Sequence, residues 1–144
     1  MKIKQIIAAV MSAITLGTAT VSVASAATTS FGYEAAAPWY QIASSCKSQL
    51  QISGTTATCT SSANGATAVK ITAEQTLEKY WGLWIWTEVD NAKWSKTVSV
   101  NSISMTNTKS GLGSGTYRLK TTFTLTNSAG KTETITVYSD EKVI

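Results

Sequence analysis

The chain has 144 residues, with 12 Lys or Arg against 8 Asp or Glu, two cysteines and no histidine. Without histidine there can be no Ser-His-Asp or Cys-His unit, and no ligand cluster suits a catalytic zinc, so the composition argues against an enzyme. The formal charge of +4 includes Lys2 and Lys4 of a leader; without them it is +2 and the cations are scattered singly, which argues against nucleic acid as a partner.

Residues 1–26 read as a signal peptide. Lys2 and Lys4 give a positive start, Ile6 to Thr20 is apolar and mostly small, and Ala24-Ser25-Ala26 is a cleavage signal, with Ala27 the alternative cut. No lipobox cysteine follows, and the Asp140–Ile144 end carries no anchor, so a freely secreted protein is expected, with no membrane insertion after cleavage. The 118 residues that follow suffice for one core, and 36 of them are Ser or Thr, which disfavour long helices and suit a pleated surface. Residues 27–45 have no stable period and read as a loosely ordered N-terminal arm that Trp39 and Tyr40 could tack down. Residues 46–144 form the domain.

In chain order, Cys46 to Ile52 and Ala57 to Ser62 read as a hairpin around Ser53-Gly54. A turn centred between Ile52 and Ser53 sets Leu50 opposite Thr55, Ser48 opposite Ala57 and Cys46 opposite Cys59. In an exported protein that pair is expected to form a disulfide. No C-x-x-C motif supports a redox or metal role. After Asn64-Gly65, Val69, Ile71, Ala73 and Leu77 share one parity against Lys70, Thr72, Glu74 and Glu78, a strand with one wet face and Gln75 as its odd member. A helix opened by Thr72-x-x-Gln75 is the alternative. Gly82 ends that run. Trp84 to Val89 follows as a strand apolar on both faces, Asp90 to Lys93 as a loop, and Trp94 to Thr106 as a strand whose parity switch near Asn101-Ser102 suggests a bulge. The Gly-rich 110–115 loop leads into Tyr117, Leu119, Thr121, Phe123 and Leu125, alternating with wet positions. Asn127 to Gly130 turns the chain back through Glu133, Ile135 and Val137. Leu119, Phe123, Ile135, Val137, Ile71 and Leu77 are the expected core.

Seven short antiparallel strands punctuated by Gly, Asn and Ser turns predict an all-β chain, a single immunoglobulin-like β-sandwich with a local disulfide hairpin. Gly115 to Leu119 resembles the start of that fold's strand F, with Leu119 where the second inter-sheet cysteine would stand. A wider pattern runs through Cys46, Leu50-x-Ile52-x-Gly54-x-x-Ala57-x-Cys59, Lys70-Ile71, Leu77-Glu78-Lys79 and Trp86-x-x-Val89. It continues through Trp94, Ser110-Gly111-Leu112-x-Ser114-Gly115-Thr116-Tyr117-Arg118-Leu119 and Glu133 to Ser139. Over Cys46 to Ile144 this order resembles an uncharacterised family of small secreted β-sandwich proteins from Gram-positive, Firmicutes-type bacteria. The resemblance implies export, a disulfide and a sandwich, and it implies no site. Against that family's Trp-x-x-Val-x-x-Trp, this chain lengthens the loop before Trp94 and adds Trp81 and Trp84.

Four of the five tryptophans lie between Trp81 and Trp94. Trp84 and Trp86 are expected in the core, whereas Tyr80, Trp81 and Trp94 border turns and are the candidate ligand-binding aromatics. Flat aromatic faces stack on sugar rings, so the leading expectation is a non-enzymatic binding module for extracellular glycan or cell-wall material. A protein partner or a structural surface role is the alternative, and no cofactor is implied.

Overall fold

The computed structural model describes residues 34–35 and 40–144; the 1–26 leader and most of the 27–39 stretch lie outside these described residues. The regular elements among them are all strands: β1 (Glu34–Ala35), β2 (Ser45–Ser53), β3 (Thr56–Asn64), β4 (Ala68–Gly82), β5 (Ile85–Val98), β6 (Ser102–Lys109), β7 (Thr116–Asn127), β8 (Thr132–Tyr138) and β9 (Lys142–Val143). They pair antiparallel in two sheets, ordered β1-β2-β3-β6 and β5-β4-β7-β8, with β9 also on β7.

Period-2 alternation accounts for the packing. On β7, Tyr117, Leu119, Thr121, Phe123 and Leu125 point inward and are buried while their neighbours are half-exposed. β4 is a strand and not a helix, with Ile71, Ala73, Gln75 and Leu77 inward. All six expected core residues are buried, but they divide between two apolar clusters: Ile71, Phe123, Ile135 and Val137 in one, Leu77 and Leu119 in the other. Between the clusters lies a buried polar layer. Thr121 Oγ1 shares hydrogen bonds with Ser48 Oγ at 2.9 Å and Ser61 Oγ at 2.7 Å. Gln75 Nε2 donates to Ser61 Oγ at 2.7 Å and the Cys59 carbonyl at 3.2 Å, and Asn107 Nδ2 donates to Gln75 Oε1 at 2.8 Å. Gln75, the odd member of its strand, is thus an inward polar group with its hydrogen-bonding capacity met, as buried amides require.

Three expectations are corrected. Trp94 to Thr106 is not one bulged strand: β5 runs on through Val98, residues 99–101 cross to the other sheet, and Ile103 and Met105 face the core from β6. The parity switch records that crossing. Asp90 to Lys93 is not a loop but lies within β5, and the arm is not loose over residues 40–45. Tyr40, Ile42 and Ala43 are buried in the first cluster, and the Gln41, Ile42 and Ala43 amides all donate to the Glu133 carboxylate at 2.9–3.0 Å.

The cysteines are not bridged. The β2–β3 loop is Gly54-Thr55, with Gly54 at φ 59° and Ser53 paired to Thr56, so the register differs from the expected one and Cys46 faces Ala63 while Cys59 faces Leu50. Four positions along β3 is roughly 13 Å, whereas a disulfide needs Cα atoms within about 7 Å. Both thiols are fully buried. Burial pushes Cys59 up to about 12, and burial together with the Glu133 carboxylate pushes Cys46 higher still. Alkylation of the native protein is therefore expected to be slow, and alkylation of the unfolded, unreduced protein to add two labels. No label under the second condition would restore the bridge.

Candidate functional site

The β4–β5 hairpin carries the tryptophan-rich segment. Tyr80 pairs with Trp86 and Gly82 with Ile85, leaving Leu83-Trp84 as a two-residue loop with φ of 51° and 65°. Positive φ at both central positions is type I′ geometry, which favours Asn-Gly because side chains with a bulky Cβ substituent crowd the backbone there. Leu and Trp hold it at a cost of about 1–2 kcal/mol each. Trp84 consequently does not join the core as expected from its alternation with Trp86: it is 89% exposed, with Leu83 at 87%, Trp81 at 73% and Ile85 at 53%. Replacing the loop by Leu83→Asn with Trp84→Gly is expected to stabilise the protein by about 1–3 kcal/mol, relief of the strain that such conformers store. A lowered thermal midpoint would mean that the tip is held by contacts worth more than that strain.

A ladder of side chains on the outer face of the sheet braces the hairpin. The Tyr80 and Trp86 rings lie 5.1 Å apart, and the Tyr80 hydroxyl accepts from the Trp84 amide at 3.4 Å. The Arg118 guanidinium sits 4.1 Å from the Trp86 ring and 4.2 Å from the Tyr138 ring, while its Nε donates to Glu78 Oε2 at 2.7 Å. Each of β5, β4, β7 and β8 contributes to this ladder, and each cation–π contact is worth about 0.5–2 kcal/mol depending on desolvation. Trp86, expected in the core, is instead half-buried in this outer ladder.

On the other side of the hairpin, an open cleft of about 340 Å³ is lined by Trp81 together with Lys79, Glu88, Asp90, Lys109 and Tyr117. The bulge in β5 supplies one of these, Asp90. Between the Thr76–Lys93 and Glu78–Glu88 pairs β4 advances two residues and β5 five, with Asn91 at φ 55°, a conformation Asn tolerates. Ala92 is drawn into the core as Asp90 is thrown outward. The Lys79 ammonium stands 5.5 Å over the Tyr117 ring, and the Tyr117 hydroxyl donates to the Gly113 carbonyl at 2.7 Å.

The three candidate aromatics are not brought together. Trp81 is exposed on the cleft and Tyr80 stacks in the ladder, but Trp94 pairs with Gln75 and is half-buried against both core clusters, where it plugs the gap between β5 and β6. Sequence reasoning missed Arg118, Glu88 and Asp90. The wet-face parity of Arg118 was visible, whereas its stacking partners come from strands 32 residues before and 20 after it. Among the described residues, no group of three His, Cys, Asp or Glu could hold a metal ion, and no helix is long and apolar enough to cross a membrane. Compared with protein-family models, curated proteins and solved structures, the chain matches none of them.

Proposed function

We propose that this is a secreted, non-enzymatic binding module of immunoglobulin-like type that recognises extracellular glycan or cell-wall material through the cleft beside Trp81. The type is supported by the order β2-β3-β6 against β5-β4-β7-β8 and by Tyr117, whose hydroxyl closes a corner on Gly113 at the start of β7 as tyrosine corners do. The observation that carries the ligand class is an indole exposed to 73% on the wall of a polar cleft. The indole offers an apolar face to a sugar ring, and Asp90, Lys79 and Lys109 offer hydrogen bonds to its hydroxyls.

Covering roughly 80 Å² of indole at about 25 cal/mol per Å² is worth about 2 kcal/mol, or roughly thirtyfold in affinity. Trp81→Ala is therefore expected to lower binding to soluble peptidoglycan fragments or mucin glycans by about that factor in titration calorimetry, with an unchanged thermal midpoint. Equal binding by the wild type and the variant would remove the cleft from consideration.

A further inference from the structure

At one end of the sandwich, an inward row from each sheet ends in a lysine. On β4 the buried positions Ile71, Ala73, Gln75 and Leu77 share their parity with Lys79, whose partner on β7 is the buried Tyr117. On β6 the row of Ile103, Met105 and Asn107 continues to Lys109, whose partner on β3 is the buried Ala57. Both lysines are half-buried, and they line the cleft beside Trp81 from opposite sheets. Facing sheets stand about 10 Å apart, a gap that two long, flexible lysine stems close.

Neither ammonium is neutralised. Among the described residues, no carboxylate lies within 4.0 Å of Lys79 or Lys109. Glu78 is held by Arg118 at 2.7 Å, and Glu88 is paired across the strands with Glu78 and shares its outward face. That leaves the exposed Asp90 as the acid at the rim of the cleft. Lys79 is also held in place: its ammonium rests 5.5 Å from the centre of the Tyr117 ring, and its stem fills the space a Cβ on Gly115 would need, 2.5 Å from Lys79 Cε. Two like charges at the end of an apolar core are partly desolvated and repel each other. A bound anion relieves both costs.

We infer that the cleft takes an anionic sugar, a ring carrying a carboxylate or a phosphate, with the anion seated between the Lys79 and Lys109 ammoniums and the ring laid on the Trp81 indole. Ammonium groups donate charge-assisted hydrogen bonds to either anion, while Asp90 accepts from ring hydroxyls. The inference rests on the glycan reading of this cleft and adds the charge of the ligand and the residues that read it. A neutral sugar leaves both ammoniums without a counter-charge, so the site favours the charged ring by about tenfold for each ammonium engaged.

The test is titration calorimetry on the full chain at low salt with three soluble probes: oligogalacturonate, its carboxyl-reduced neutral counterpart, and glucose 6-phosphate. At least one anionic probe should bind about a hundredfold more tightly than the neutral one, and the tighter of the two names the anion. Lys79→Gln and Lys109→Gln should each weaken that probe by about tenfold and leave the neutral one unchanged, with thermal midpoints as in the wild type. Lys79→Arg keeps the charge and should keep most of the affinity. Salt at about 0.5 M should erode the preference, as screening requires. Trp81→Ala should weaken charged and neutral probes by the same factor, so loss of the ring contact and loss of the anion seat are read separately. Equal binding of charged and neutral sugars, lost in Trp81→Ala, overturns the inference and leaves the glycan reading standing. Anion binding that Trp81→Ala does not change and that a triglutamate peptide matches overturns both, because the cleft then reads charge without a ring. A wild type that binds neither anionic probe also overturns the inference.

Discussion

Glu133→Ala is expected to remove about 4 kcal/mol of stability in urea unfolding and to free residues 40–43 in hydrogen exchange. The Glu133 carboxylate is 3% exposed and accepts the Gln41, Ile42 and Ala43 amides. Hydrogen bonds to a charged group contribute about 1.5–3 kcal/mol each, and a buried donor left without a partner costs about 1–3 kcal/mol. Some of that is recovered as the segment opens to water, which keeps the expected total below the sum of three bonds. The opening also uncovers Tyr40, Ile42 and Ala43 over the first cluster. Glu133→Gln keeps one carbonyl acceptor and should lose about half as much. Against a total of about 5–15 kcal/mol for a domain of this size, the alanine variant sits near unfolding. A loss under about 1 kcal/mol, the range of surface substitutions, would mean that the segment is not latched by this carboxylate.

That latch shows where the sequence stops being informative. The inward parity of Glu133 with Ile135 and Val137 was legible from alternation alone. Its partners, about 90 residues earlier in a segment without periodicity, were not, because a backbone amide carries no residue-specific signal. Strand identity followed from period 2 wherever one face is dry and the other wet, as on β7. It failed at β5, where a bulge and two apolar faces erase the alternation between Trp84 and Val98. The hairpin register was lost through its turn: centring the loop on Gly54-Thr55 and not on Ile52-Ser53 moves every partner of β2 by four positions on β3. At Leu83-Trp84 the backbone adopts a conformation its residues disfavour, so turn chemistry could not have placed the loop there. A local rule broken without local compensation is a reason to look for function at that place.

The same register that separates the cysteines makes the protein sensitive to alkali, and a shift from pH 8 to pH 10 is expected to lower stability by about 3 kcal/mol. In the unfolded chain both thiols ionise near their ordinary value of 9.0, whereas in the folded protein Cys59 holds its proton up to about 12 and Cys46 beyond that. Raised folded values mean that the unfolded state binds fewer protons above pH 9, so stability is whole below that pH and falls as pH rises through the window from 9 to 12. Each thiol contributes about 1.4 kcal/mol per pH unit there. Desolvation is the leading cause at both sites, and at Cys46 the neighbouring Glu133 carboxylate adds repulsion to a thiolate. The measurement is urea unfolding at pH 8 and pH 10 on the wild type and on Cys46→Ala with Cys59→Ala. The double variant starts less stable, since it opens two small voids, but its pH dependence should flatten by about 3 kcal/mol relative to the wild type. Equal slopes for the two proteins would mean that the thiols are bridged or open to water, and either state contradicts their place in the two cores.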